Sequence, residues 1–175
     1  NEVIYINDGS SDNTLTALRE LLRTDARVSI VDLSRNFGKE IALTAGLDHA
    51  RGAAVVVIDA DLQDPPELIP ELIQRWEQGY DVVYAKRTER AGETFFKKLT
   101  AKLFYRIIKR ISRVEIPEDS GDFRLLSRRA LDAVKKLRET HRFMNGIFAW
   151  VGYPHTAVLY QRYARFAGTT KWSYW

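Results

Sequence analysis

The sequence contains no cysteine. That excludes disulfides, thiolate metal sites and a cysteine nucleophile. Histidine is scarce: His49, His141 and His155 stand far apart and form no cluster with ligand spacing. The longest unbroken aliphatic run is Ala53 to Ile58, far short of the ~20 apolar residues that span a bilayer. There is no internal repeat and no low-complexity segment.

What is present is a globular balance. The 175 residues are 45% hydrophobic and 29% charged, enough for one ordinary domain with its own core. The net charge of +4 conceals a split: residues 1–80 carry −7 and residues 81–175 carry +11. An acidic half followed by a basic half points to a cation site in the first and an anionic partner for the second. Nucleic acid, a membrane surface and a phosphorylated substrate all answer to that description.

The first half alternates strands and helices. Glu2–Asn7 reads as a strand that starts abruptly, as an excerpt of a longer protein would. Asp8 to Asn13 is a turn rich in capping residues. Leu15, Leu18, Leu21 and Leu22 mark one face of a helix. Val28–Leu33 is a second strand and Lys39–Ala50 a second helix, ended at Arg51-Gly52. Ala53–Ile58 is apolar throughout, as a strand covered on both faces would be. Pro65-Pro66 opens a helix reaching about Gln78, Gly79 stops it, and Asp81–Ala85 is a fourth strand. This rhythm predicts βαβ units: a mostly parallel sheet with helices on both faces. The second half is less regular. It predicts a Ser-Gly-Asp-Phe turn at 120–123, a helix near 127–137 and a strand near 156–162.

Ligands of such sheets bind beyond the carboxyl ends of the strands. Those ends carry Asp8-Gly9-Ser10, Ser34-Arg35-Asn36, Asp59-Ala60-Asp61 and Lys86-Arg87. Asp59 and Asp61 are two apart in an extended segment, so they share a side and can face one hard cation. Mg²⁺ or Mn²⁺ is commonly held by one or two carboxylates plus phosphate oxygens and water. An Asp-x-Asp pair is equally at home as a solvated strand end.

The strings INDGSSDNT (6–14), SRNFGKE (34–40), DADLQDPPE (59–67), GYDVVYAKR (79–87), SGDFRLLSRRA (120–130), RFMNGIFAWVGY (142–153) and RFAGTTKW (165–172) resemble glycosyltransferase family 2. The nearest branch in pattern is the bacterial polyprenyl-phosphate glycosyltransferases, relatives of dolichol-phosphate mannose synthase. The resemblance runs in order along nearly the whole chain. DADLQDPPE and SRNFGKE are its specific parts. The family's usual first strand and the membrane helices that often follow the Thr-Lys-Trp segment are not in this sequence, so the chain reads as clipped at both ends.

The resemblance implies a nucleotide-sugar-binding, GT-A-like α/β fold, truncated at the first strand. Residues 1–175 would form one catalytic domain, with a nucleotide and metal half at about 1–87 and an acceptor half at about 88–175. Asp8 would hydrogen-bond the nucleotide base, and Gly9 would let the backbone approach it. Asp59, Ala60 and Asp61 would line the donor diphosphate, with Asp59, Asp61 and Gln63 around Mg²⁺ or Mn²⁺. Arg87 would contact donor phosphates, and Lys39 would meet the nucleotide or cap its helix. Asp122 matches the acidic residue proposed as catalytic base. Arg165 and Lys171 match a late basic pair that clamps phosphates as a loop closes, a task suited to guanidinium geometry.

Phe95–Arg113 holds seven Lys/Arg and no acid, with Phe96, Leu99, Leu103, Ile107 and Ile111 at three-to-four spacing. Such a stripe flanked by cations suits an anionic membrane surface and equally suits a helix packed on the core. Trp150, Trp172 and Trp175 are candidate interfacial anchors.

The expected function is metal-dependent, inverting transfer of a sugar from a nucleotide-sugar to a polyprenyl phosphate. The expected place is the cytoplasmic face of the bacterial inner membrane, with anchors in a C-terminal part beyond this chain. A UDP-sugar is expected ahead of GDP-mannose, and a homo-oligomer is compatible with the sequence. The alternative is a family 2 enzyme acting on a sugar hydroxyl in polysaccharide or glycolipid synthesis. A remoter one is a basic nucleic-acid-binding module, but no such motif is present, and nucleic acid is not an expected partner.

Overall fold

The computed structural model describes residues 1–88, 120–137, 139 and 143–161. The expected basic helix at 95–113, the Arg165/Lys171 pair, Trp172 and Trp175 lie outside the described residues.

Among the described residues, six strands and five helices follow in the order β1 (Val3–Asn7), α1 (Thr14–Thr24), β2 (Val28–Asp32), α2 (Lys39–His49), β3 (Ala54–Val57), α3 (Ile69–Glu77), β4 (Val82–Arg87), β5 (Ser120–Ser127), α4 (Arg128–Lys136), α5 (Met144–Trp150) and β6 (His155–Tyr160). A 3₁₀ turn, Pro66–Leu68, leads into α3. The predicted elements of the first half all form. Their causes are local: β-branched runs in β2 to β4, prolines at the start of α3, and Gly79 at φ +98° behind it.

The strands make two sheets. β1 and β2 pair in parallel, with Val3 opposite Val28 and Asn7 opposite Asp32. The larger sheet has the order β3-β5-β4-β6. β4 and β6 are parallel, but β5 runs antiparallel to both β3 and β4. The sequence predicts a turn at Ser-Gly-Asp-Phe. Instead these residues begin β5, because pairing with a strand on each side outweighs the turn preference of glycine and aspartate. The larger sheet is therefore mixed, and the antiparallel insertion has a use. It brings the start of β5 to the rim where β3 and β4 end.

Helices cover both faces of the larger sheet, as the alternation predicts. Val82 and Leu126 join Leu47, Leu131, Val134, Met144 and Phe148 in one buried cluster, beneath α2, α4 and α5. Val83, Ala85, Phe123, Leu125 and Val158 join Leu72 of α3 on the other face. Neighbouring residues of one strand point to opposite clusters, the period-2 alternation of a strand with two dry faces.

A polar latch fixes how β5 passes into α4. Ser127 caps α4 by accepting from the Ala130 N–H and donates its hydroxyl to Asp81 at 2.6 Å. Asp81 also holds the Arg129 guanidinium. These contacts, led by the Arg129 hydrogen bond and opposed by burial, keep the Asp81 carboxyl below the ordinary carboxylate range. Its folded pKa is thus under the unfolded value of ~3.9. The stabilisation is fully present above that value and is lost as pH falls through the folded pKa. We expect Asp81→Asn to cost about 1–3 kcal/mol at pH 7. Urea unfolding at descending pH should show the gap to wild type narrowing in strong acid.

Candidate active site

The polar loops meet at one rim, where β1 to β4 end and β5 begins. Asp8 follows β1. Its carboxylate accepts from the N–H of Phe37 at 2.7 Å and of Gly38 at 3.0 Å, so it pins the loop after β2 against the loop after β1. Between them Gly9 sits at φ +64°. A Cβ there would lie 2.4 Å from the Asn36 nitrogen and 2.5 Å from the Arg35 carbonyl carbon. Only glycine fits this crossing.

The acidic loop follows β3. Asp61 accepts from the Gln63 N–H at 3.1 Å, a side-chain turn that bends the chain back at once. Leu62, between them, takes φ +56° and is exposed. A leucine in the left-handed region is strained by about 1–2 kcal/mol, and such strain concentrates at functional loops. Asp64, next along, is buried at 2% exposure. It accepts from the Tyr160 hydroxyl at the end of β6. Burial, more than this bond, raises the Tyr160 phenol above its ordinary value. The same hydroxyl accepts from Arg87 Nε at 3.3 Å. A register shift between Tyr84 and Lys86 delivers Arg87 to the rim, as bulges beside active sites commonly do. Its guanidinium passes over Gly121, where a Cβ would stand 3.1 Å from Nη2.

Asp122 is the second residue after Gly121's neighbour Ser120 in β5. Its carboxylate pairs with the Lys39 ammonium at 2.6 Å. That ammonium also reaches Asp59 Oδ2 at 2.7 Å. Lys39 thus joins the carboxylate of the loop after β3 to one within β5. Burial works against its charge, but Asp122 and Asp59 outweigh burial and raise its pKa.

Behind Asp122 lies Arg124, 3% exposed. Its guanidinium donates to the Gly121 carbonyl at 2.6 Å, the Asp122 carbonyl at 3.4 Å and the Asn145 side chain. It also lies over the Phe148 ring, with Cζ 4.2 Å from the centroid. Burial pulls its pKa down to about 10, against the pull of Asp122, Glu40 and Tyr84. It stays charged at neutral pH and fixes the backbone that carries Asp122. Glu40, beside Lys39, accepts from the Met144 N–H at 3.1 Å, and burial chiefly raises its pKa.

The structure therefore draws Asp59 and Asp122 together through Lys39. It sets Ala60, Asp61 and Gln63 in one tight loop and holds Arg87 from behind. Asp8 serves the neighbouring β1–β2 crossing. The sequence signals miss Tyr160, Asn145 and the bridging role of Lys39, whose partners lie far along the chain. SRNFGKE contains Lys39, but its spacing gives no hint of the bridge.

Three comparisons relate the chain to known proteins. Residues 1–135 match the family model "Glycosyl transferase family 2". An uncharacterized glycosyltransferase of Synechocystis is 56% identical over 174 residues, 99% of this chain and 55% of that protein. A prophage bactoprenol glucosyl transferase homolog of Escherichia coli is 47% identical over 174 residues, 99% of this chain and 57% of that protein. The chain thus spans about half the length of the curated relatives it matches. A Pyrobaculum calidifontis mannosyltransferase, solved with GDP-Man and Mn²⁺, shares the fold. Its TM-score is 0.62 at 21% identity, covering 90% of this chain and 45% of that one. With a family match across most of its length and the acidic loop, Arg87 and Asp122 on one rim, this chain belongs to glycosyltransferase family 2.

Proposed function

We propose that residues 1–175 are the catalytic domain of an enzyme that moves a sugar from a nucleotide-sugar onto a polyprenyl phosphate. The observation that carries this reading is the meeting of Asp59, Asp122 and Arg87 where the strands end. The bactoprenol glucosyl transferase names of relatives at 47% identity favour the lipid phosphate over a sugar hydroxyl.

A divalent Mg²⁺ or Mn²⁺ fits the donor chemistry. Asp59 and Asp61 offer carboxylate oxygens and Gln63 an amide oxygen, the ligand atoms that hard cations prefer. Asp59 already has a positive charge, the Lys39 ammonium, seated against it. Among the described residues, no group of three or more His, Cys, Asp and Glu is placed to hold a metal, so the rest of the shell falls to donor and water oxygens. When bound, the ion supplies positive charge against the leaving diphosphate.

The chain's own residues do the rest. Arg87, buttressed by Tyr160 and Asp64, faces the donor phosphates and offsets the charge that develops there. Arg165 and Lys171 add to that clamp. Asp8 and Gly9 shape the floor beneath the base, and a UDP-sugar is the preferred donor. Asp122 faces the acceptor. An attacking hydroxyl must lose a proton to a base; a phosphate monoester, with a second pKa of ~6, is already largely ionised. With the lipid phosphate, Asp122 orients the acceptor more than it deprotonates it. A single displacement inverts the anomeric centre.

The acceptor half, about 88–175, meets the membrane through the basic 95–113 stretch, at the cytoplasmic face. Among the described residues no helix is long and apolar enough to cross a membrane.

The test is thermal stability of the full-length protein with UDP- and GDP-sugars, with and without Mn²⁺. Ligand at 100 times its Kd should add about 2.7 kcal/mol of stability. The gain should require Mn²⁺, favour UDP, and vanish in Asp61→Ala. Undiminished stabilisation in that variant removes the metal assignment. Offering polyprenyl phosphate and free sugar acceptors side by side then separates the two acceptor classes.

A further inference from the structure

Lys39 is the first residue of α2. A cation is the wrong charge for a helix N-terminus, whose dipole end is positive. Helix stability therefore does not account for this residue. Its two partners do: Asp59 at 2.7 Å and Asp122 at 2.6 Å. Asp59 stands in the loop after β3, and Asp122 stands in β5. In the reading above, on which this inference rests, the first serves the donor and the second the acceptor.

We propose that Lys39 is an internal cation that interlocks the two halves of the site. It holds Asp122 in an ion pair until a divalent cation takes its place on Asp59. Three features support this. One ammonium contacts both carboxylates, so a change at either is felt by the other. An ammonium and a divalent ion on the same carboxylate repel each other, so arrival of one expels the other. The Lys39 side chain is 55% exposed, and its flexible, strongly hydrated head can leave for solvent or a nearby phosphate without opening a hole in the core. Asp122 is then released only after the donor's metal has arrived. The enzyme loads donor before it readies its acceptor carboxylate.

The test uses the full-length protein and Mn²⁺ alone, with free Mn²⁺ read by its electron paramagnetic resonance signal. Lys39→Met keeps the stem and removes the competing charge. Removing that repulsion should tighten Mn²⁺ binding about tenfold. Equal or weaker binding than wild type overturns the interlock. In wild type, labelling of the Lys39 amine by a lysine reagent, read by mass spectrometry, should rise as Mn²⁺ saturates. Unchanged labelling also overturns it, and this arm needs no variant to fold. Asp59→Ala separates the two levels of the argument. If it binds Mn²⁺ as well as wild type, the metal reading falls and the interlock with it. If it loses Mn²⁺ while Lys39→Met gains nothing, the metal reading stands and the interlock alone fails.

Discussion

Asp122→Asn should lower turnover by about 10²-fold, the loss that a misoriented reactant brings, while the donor KM stays within a few-fold of wild type. The substitution keeps the shape and the Arg124-held backbone, whose contacts are to the carbonyls of Gly121 and Asp122. It removes the charge facing the acceptor. The pH profile of the residual activity identifies the role. If the acceptor is a hydroxyl, the residual activity shows no acid limb near ~6. If the acceptor is a lipid phosphate, an acid limb near ~6 persists, because that limb belongs to the phosphate itself. We expect the second pattern. Steady-state kinetics from pH 5 to 8 with a short-chain polyprenyl phosphate would show it. A variant within threefold of wild type across that range would remove Asp122 from the reaction.

Gly9→Ala should be the most damaging single methyl in the described structure. Two effects add. The backbone sits at φ +64°, which costs a residue with a Cβ about 1–2 kcal/mol. The new Cβ also meets backbone atoms of Arg35 and Asn36 at 2.4–2.5 Å. Backbone cannot swing aside as a side chain would, and such overpacking costs about 1–3 kcal/mol more. Relief requires the β1 and β2 loops to part, which pulls the Phe37 and Gly38 N–H groups off Asp8. Thermal unfolding should drop by roughly 5–15 °C, at about 2–4 °C per kcal/mol, and nucleotide binding should weaken with it. Gly79→Ala is the control. Its φ is +98° with nothing within 4 Å of the new Cβ, and it lies at the opposite end of β4 from Arg87. It should lose stability and leave nucleotide binding unchanged. Equal losses of binding in both variants would mean that the crossing at Gly9 is not special.

The sequence discloses those parts of the molecule whose causes are local. Val55, Val56 and Val57 state their strand outright, and the acidic loop announces itself by following them. Arg87 is found because it ends a strand in a βαβ rhythm. Asp122 is found by family resemblance, but its setting is not, because Gly121 and Asp122 are turn residues by preference. Only the pairing of Arg124 with Val57 and Tyr84 across two strands makes a strand of them. The Lys39 bridge is hidden for a similar reason: its carboxylates stand 20 residues away at Asp59 and farther still at Asp122. Tyr160 looks like one more core aromatic. What distinguishes it is the hydroxyl shared by Asp64 and Arg87, a three-dimensional fact with no sequence period.

That shared hydroxyl makes a tether. Tyr160 is fastened by its oxygen to Asp64, and Asp64 is three positions along from Asp61. Displacing Tyr160 would therefore disturb the acidic loop and the backing of Arg87 together.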